Sequence, residues 1–354
     1  MSLTQPDTEP APDRVAEPSG TPGREPAARV ALVLGAGGVA GIAFHAGVLA
    51  AMSESLGWDP RRVDLIVGTS AGSITASGLR AGLSAADIYA RTCGEELSPE
   101  GAALLAGSDA VMGGRPVRRP EGRPRLVPAA PGVVWAAGRR PGRVRPGALI
   151  AGLIPVGRIP TTAIAEGVDA LDGGAWPERP TWICTVRLHD GRLVVFGRPG
   201  VPPATLGQAV AASCAIPGFF APVEIGGVRY IDGGAHSTTN LSEVSRLGLD
   251  LVVVSAPMAR AGSRPQLLFP RFPAALGAVG RELNRLQLGV EARRVRAGGT
   301  PVVAFSPTPM DRAVMGFNPM DESRRAPIAS QARQSALRRL ERPEVRDQLA
   351  ALTD

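Results

Sequence analysis

Ser70 stands between Gly68 and Gly72 in the run Val67-Gly68-Thr69-Ser70-Ala71-Gly72-Ser73, where the stretch from Asp64 to Val67 gives way to a helical pattern. A serine hydroxyl is a weak nucleophile. A hydrolase therefore holds it on a tight strand-to-helix turn, where backbone N–H groups and the helix start favour developing negative charge. The flanking glycines let other backbone and substrate approach closely. A second candidate is Asp232, which follows the apolar pattern Val228 to Ile231 and precedes Gly233 and Gly234. Alone, Asp-Gly marks a turn aspartate bonding its own backbone. Paired with Ser70, it is a carboxylate at a strand end, where a sheet displays functional side chains.

A serine hydrolase normally needs a base, and the chain has three histidines, His45, His189 and His236. His236 follows Asp232 by only four residues, too short a gap for acid and base on separate loops. His45 falls on the first helix pattern as a packing residue, and His189 precedes the turn signal Asp190-Gly191. A carboxylate acting directly as base on the serine is then the economical arrangement.

The loop Gly35-Ala36-Gly37-Gly38-Val39-Ala40-Gly41 offers two chemistries. As a loose dinucleotide fingerprint it would cradle a pyrophosphate, and would want an acidic residue ending the second strand to hold the ribose. That strand ends in Gly68-Thr69-Ser70 instead. The same Gly37 and Gly38 amides can serve Ser70 as an oxyanion hole.

Together these residues resemble the patatin-like phospholipase family. The resemblance is carried by four ordered blocks: Gly37 to Gly41, Gly68 to Gly72, Ala212-Ser213-Cys214-Ala215-Ile216-Pro217, and Asp232-Gly233-Gly234. It runs from about Val30 to Ser255, and Met315 to Asp321 is similar to a C-terminal segment of bacterial members. It implies a three-layer α/β fold with a mostly parallel central sheet. It also implies Ser70 as nucleophile, Asp232 as base, Gly37 and Gly38 as oxyanion donors, and a lipid or other acyl ester as substrate. The reaction needs no metal or cofactor. The chain departs from the family pattern at Ala36, usually Gly, and at Ala40, usually Arg or Lys. The missing cation directs the expectation toward neutral esters or a weak enzyme, and keeps a non-catalytic lipid-binding scaffold as a rival.

The surrounding elements follow from apolar pattern and turn residues. Val30 to Leu34 reads as a buried strand and Gly41 to about Met52 as a buried helix; the intervening glycines break an uncharged run that would otherwise pass for a membrane span. Helices are expected at Ala71 to Leu79, Ser84 to Arg91, Thr205 to Ser213 and about Phe272 to Arg296. Strands are expected at Trp182 to Leu188, Leu193 to Phe196, Asp250 to Ser255 and Val302 to Ser306, and a hairpin turning on Gly226-Gly227. Ile328, Ala332, Ala336 and Leu340 mark one face of an amphipathic helix from Ser323 to about Leu340.

Composition bounds the rest. The 354 residues suffice for one large domain, read as 29–354 behind a Pro-rich, disordered leader that is not a signal peptide. Gly113 to Pro146 carries nine arginines against one acid, Glu121, and reads as an insertion; the apolar stretch Ala148 to Val156 after it could cover a pocket or touch a bilayer. The net charge is +7 and all 39 basic residues are arginine. With no zinc-finger spacing and no aromatic platform, that charge is not read as a nucleic-acid site, though it would favour anionic membrane surfaces. Cys93, Cys184 and Cys214 are odd in number and far apart, the pattern of free thiols in a cytoplasmic protein. Oligomeric state is left open.

Overall fold

The computed structural model describes residues 28–113, 129, 149, 152–259 and 272–352. The expected leader and most of the arginine-rich insertion lie outside the described residues.

The chain opens with β1 (Val30–Leu34), whose five residues are all buried, and turns at once into α1 (Gly38–Leu56). The helix begins earlier than the expected Gly41 because the Gly41 N–H already donates to the Gly37 carbonyl at 2.9 Å, closing a first turn that Gly38 enters at a left-handed φ of +60°. Next come β2 (Leu65–Gly68), α2 (Ala71–Ala81), α3 (Ala85–Cys93) and α4 (Pro99–Gly113). Then α5 (Thr162–Asp172) precedes β3 (Thr181–Arg187), β4 (Leu193–Phe196), α6 (Leu206–Ser213), β5 (Val223–Ile225) and β6 (Val228–Asp232). The chain closes with β7 (Leu251–Ser255), α7 (Phe272–Ala297), β8 (Val302–Phe305), α8 (Pro309–Met315), α9 (Arg325–Leu340) and α10 (Pro343–Gln348).

The sheet runs β5-β6-β3-β2-β1-β7-β8, with β4 paired to β3. The five strands from β3 to β8 are parallel neighbours, and β4, β5 and β6 pair antiparallel. Strand periodicity sorts the core into two faces. Leu32, Leu34, Ile66, Val253 and Phe305 pack with α1 and α9 on one side; Ala31, Val33, Val67, Val252 and Val254 pack with Leu288, Ala292 and Val295 of α7 on the other. The result is helix, sheet, helix.

Helix α1 is long and apolar enough to cross a bilayer. Here it is a core helix, with Phe44, Leu49 and Met52 at most 2% exposed. On α9, Ile328, Ala332, Ala336 and Leu340 are all buried. All three cysteines are free thiols.

The topology brings the site together. β2 leaves the sheet at Gly68, opposite Ile183, while β3 continues to Arg187. β6 returns antiparallel along that overhang and ends with Asp232 opposite Thr185. The end of β6 thus lies beside the turn that follows β2.

Candidate active site

Ser70 sits between β2 and α2 with φ 52° and ψ −118°, one of two non-glycine residues at positive φ among the described residues. Such strain persists only where surroundings over-determine it. Here the Ser70 N–H donates to Ser213 Oγ at 2.9 Å, Thr69 N–H donates to the Leu34 carbonyl at 3.0 Å, and the Ser70 carbonyl accepts from Ser73 N–H at 2.8 Å. Gly72 lies so close to β1 that a Cβ there would run into the Leu34 carbonyl. Gly68 packs closely against the Ser73 backbone, where a Cβ would also clash. The glycines of the elbow are therefore required by backbone-to-backbone packing.

The glycine-rich loop joins β1 to α1. Gly35 N–H donates to the Ser255 carbonyl at 2.9 Å and Ala36 N–H to the Thr238 carbonyl at 2.7 Å. Ala40 N–H donates to the Pro319 carbonyl at 2.9 Å. Among the described residues, the Gly37 and Gly38 N–H groups have no acceptor within the protein. They are the unsatisfied donors of a helix start, where an anion is favoured. His45 anchors this loop from below. Its Nε2–H donates to the Gly35 carbonyl at 2.8 Å and its Nδ1 accepts from Ser255 Oγ at 2.7 Å, because the carbonyl can only accept. Burial pushes its pKa down to about 4, so the ring is neutral at physiological pH.

Asp232 is 5% exposed. Its backbone N–H donates to the Ala215 carbonyl at 3.0 Å, and its Oδ1 accepts from Gly234 N–H at 2.7 Å. Burial pushes its carboxyl up to about 6, against the Ser70 hydroxyl and the Gly234 N–H, which draw it down. Gly233 lies against the Cys184 carbonyl, and Ser213 Oγ donates to that same carbonyl at 2.7 Å. The end of α6 therefore holds both halves of the site, Ser213 on the Ser70 N–H and Ala215 on the Asp232 N–H.

His236 Nδ1 lies 3.0 Å from Asn240 Oδ1, and His189 lies in the exposed turn beside Asp190. Among the described residues, no cluster of His, Cys, Asp and Glu could hold a metal ion.

Residues 32–166 and 178–244 match the sequence model of the Patatin family, described as patatin-like phospholipase, and together make up more than half of the chain. The chain belongs to the patatin-like phospholipase family. Among solved structures, VipD from Legionella pneumophila is similar over 89% of this chain and 67% of its own, at 16% identity and a TM-score of 0.40. The type III effector protein ExoU is similar over 88% of this chain and 53% of its own, at 19% identity and a TM-score of 0.37. This chain thus spans only about half the length of ExoU, and overlaps this loose carry no argument about the site. None of the curated proteins matches the chain.

Membership gives a patatin-like phospholipase its chemistry at the level of class, hydrolysis of lipid esters. The place of the family's usual cation is occupied differently here. Ala40 is 2% exposed and packs into the main core with α1 and α9. The loop is tied down there by the Pro319 carbonyl, a contact with no local signal because it joins residues far apart in the chain. Ser213 lay within a motif block, but nothing in the sequence showed that its hydroxyl accepts from the Ser70 N–H.

Proposed function

We propose that this patatin-like phospholipase hydrolyses carboxylic esters of lipids through a Ser70–Asp232 dyad and an acyl-enzyme. Asp232 takes the Ser70 proton as Oγ attacks the ester carbonyl, and the Gly37 and Gly38 N–H groups receive the oxyanion. The tetrahedral intermediate collapses, Asp232 returns the proton to the departing alcohol, and the acyl group stays on Ser70. Water then gives a proton to Asp232, attacks the acyl carbonyl, and releases the fatty acid as the proton returns to Ser70.

One observation carries the assignment: the Asp232 carboxyl, 5% exposed, ends β6 beside the turn that holds Ser70, and burial there raises it to about 6. A carboxylate of that basicity is a better proton acceptor than an ordinary one, yet is ionised at pH 7. Ala40 leaves the oxyanion loop without the family's cation, which supports neutral ester carbonyls and removes one grip on a phosphate. Exposed Leu153, Val156 and Phe219, at 49%, 38% and 45%, lie on two neighbouring segments joined by the Ile159–Phe220 bridge. One of these segments continues directly from Ala215 and the dyad's support. This apolar ledge, with the net charge of +7, supports peripheral contact with an anionic membrane surface, and the free thiols support a cytoplasmic enzyme.

The test is fatty-acid release, by mass spectrometry, from short-chain esters, lysophosphatidylcholine and phosphatidylcholine vesicles. Release by the wild type, none by Ser70→Ala and a loss of at least roughly 100-fold in Asp232→Asn are expected. Full release by Ser70→Ala would contradict the assignment.

A further inference from the structure

Asn240 is the other non-glycine residue at positive φ among the described residues, with φ 51° and ψ 30°, and it is wholly buried. Asparagine tolerates this left-handed conformation better than most residues. Its Nδ2 donates to Thr69 Oγ1 at 3.1 Å and to the Ser237 carbonyl at 2.9 Å, with a longer bond to the Gly233 carbonyl at 3.4 Å. Its Oδ1 accepts from His236 Nδ1 at 3.0 Å. The amide orientation follows from these partners, because two carbonyls can face only the nitrogen. One side chain thus touches the residue before Ser70 and the residue after Asp232.

Both flanks of Asn240 are tied to α7. Glu291 Oε2 accepts from Thr239 Oγ1 at 2.8 Å and from Leu241 N–H at 3.1 Å. The Asn240 N–H itself donates to Ser237 Oγ at 3.1 Å. A strained, buried residue pinned on either side and aimed at both arms of the site is the arrangement expected of a positioning group.

We infer that Asn240 is a positioning residue for hydrolysis, whose amide clamps the nucleophile elbow to the acid turn and keeps the Ser70 hydroxyl within reach of Asp232. The inference rests on the dyad proposed above. Losing the clamp lets Ser70 drift from Asp232. The Ser70 hydroxyl and the Gly234 N–H both draw the Asp232 carboxyl down against burial, so moving Ser70 away raises that pKa. A residue serving only stability would leave the pH profile where it is.

The experiment uses the full chain, a fluorophosphonate probe and a short ester, with each variant's fold checked by circular dichroism. Asn240→Gly keeps the left-handed backbone and deletes the amide. Thr69→Val deletes the oxygen that the amide meets from the other side. Each is expected to label roughly 10- to 100-fold more slowly, with kcat reduced, KM little changed and the acid limb of the rate moved to higher pH. The double variant should be no slower than the slower single one, because both remove one interaction. A folded Asn240→Gly with the wild-type rate and acid limb would overturn the clamp, as would effects that multiply in the double variant. Should Asn240→Gly not fold, Thr69→Val decides alone by the same criteria. A wild type that never labels defeats the dyad and the clamp together; a wild type that labels no faster than its variants defeats the clamp alone.

Discussion

Ser70 and Asp232 reach neighbouring positions by different construction. Ser70 leaves a parallel strand on a turn fixed largely by backbone, with the Thr69 N–H on the Leu34 carbonyl and Gly72 pressed against β1. Asp232 ends an antiparallel strand and leads into a loop held by polar side chains, with Asn240 bonded to the Gly233 and Ser237 carbonyls and Glu291 to Thr239 and Leu241. Close backbone packing fails when an atom is added. A polar network fails when one is removed.

The largest effect is expected from adding one methyl to the first arm. In Gly72→Ala the new Cβ meets the Leu34 carbonyl, which neither β1 nor α2 can yield without disturbing the sheet. A cost above about 3 kcal/mol and loss of fluorophosphonate labelling are expected, read by thermal melts and gel labelling. Near-normal melting would show that the elbow is looser than described.

Ser213→Ala removes atoms where the two arms meet. It leaves the Ser70 N–H and the Cys184 carbonyl without a partner, at about 1–3 kcal/mol. Because Ser70 is strained, labelling should slow by roughly 10- to 100-fold. Unchanged labelling would place the control of the elbow elsewhere.

Asp232→Asn should separate stability from activity. The carboxyl stands at about 6 in the folded protein against 3.8 for its ordinary value, so the folded state holds the proton more tightly than the unfolded chain. Wild-type stability therefore falls as pH rises from about 4 to about 6, a loss the amide does not share. At pH 8 the variant should be more stable by up to about 3 kcal/mol, the difference vanishing below pH 4, while labelling is nearly abolished. Urea melts across that range check it; a variant less stable at pH 8 would mean that the ionised carboxylate is better compensated than its burial implies.

The smallest effect concerns the missing cation. Ala40→Arg restores the family's usual residue at a position only 2% exposed. It should cost about 1–3 kcal/mol through overpacking without raising the labelling rate. A faster enzyme would show that the Pro319 contact is a poor substitute.

The same contrast explains what was legible in the sequence. The elbow and the Gly226-Gly227 hairpin were readable because glycine spacing and period-2 alternation are local, and His45 was readable as a buried helix residue. The start of α1 was misplaced because Gly38 was assigned to the loop, whereas the Gly41 N–H already bonds the Gly37 carbonyl across it. α4 and α5 escaped notice: in α4, alanine and glycine are spread around the helix and leave no sharp apolar stripe, and α5 lies between proline- and glycine-rich segments that mask its start and end. Asn240 and Pro319 left no signal, since the first meets Thr69 and the second Ala40 across long stretches of chain. Polar pairing over such distances has no sequence period to reveal it.

The most direct test of the central claim is the pH dependence of fluorophosphonate labelling, with the modified residue located by peptide mass spectrometry. The account predicts modification of Ser70 alone, a rate that rises with pH through about 6 as Asp232 ionises, and in Asp232→Asn a slow rate without that limb. Modification at another residue, or a wild-type acid limb retained in Asp232→Asn, would contradict it.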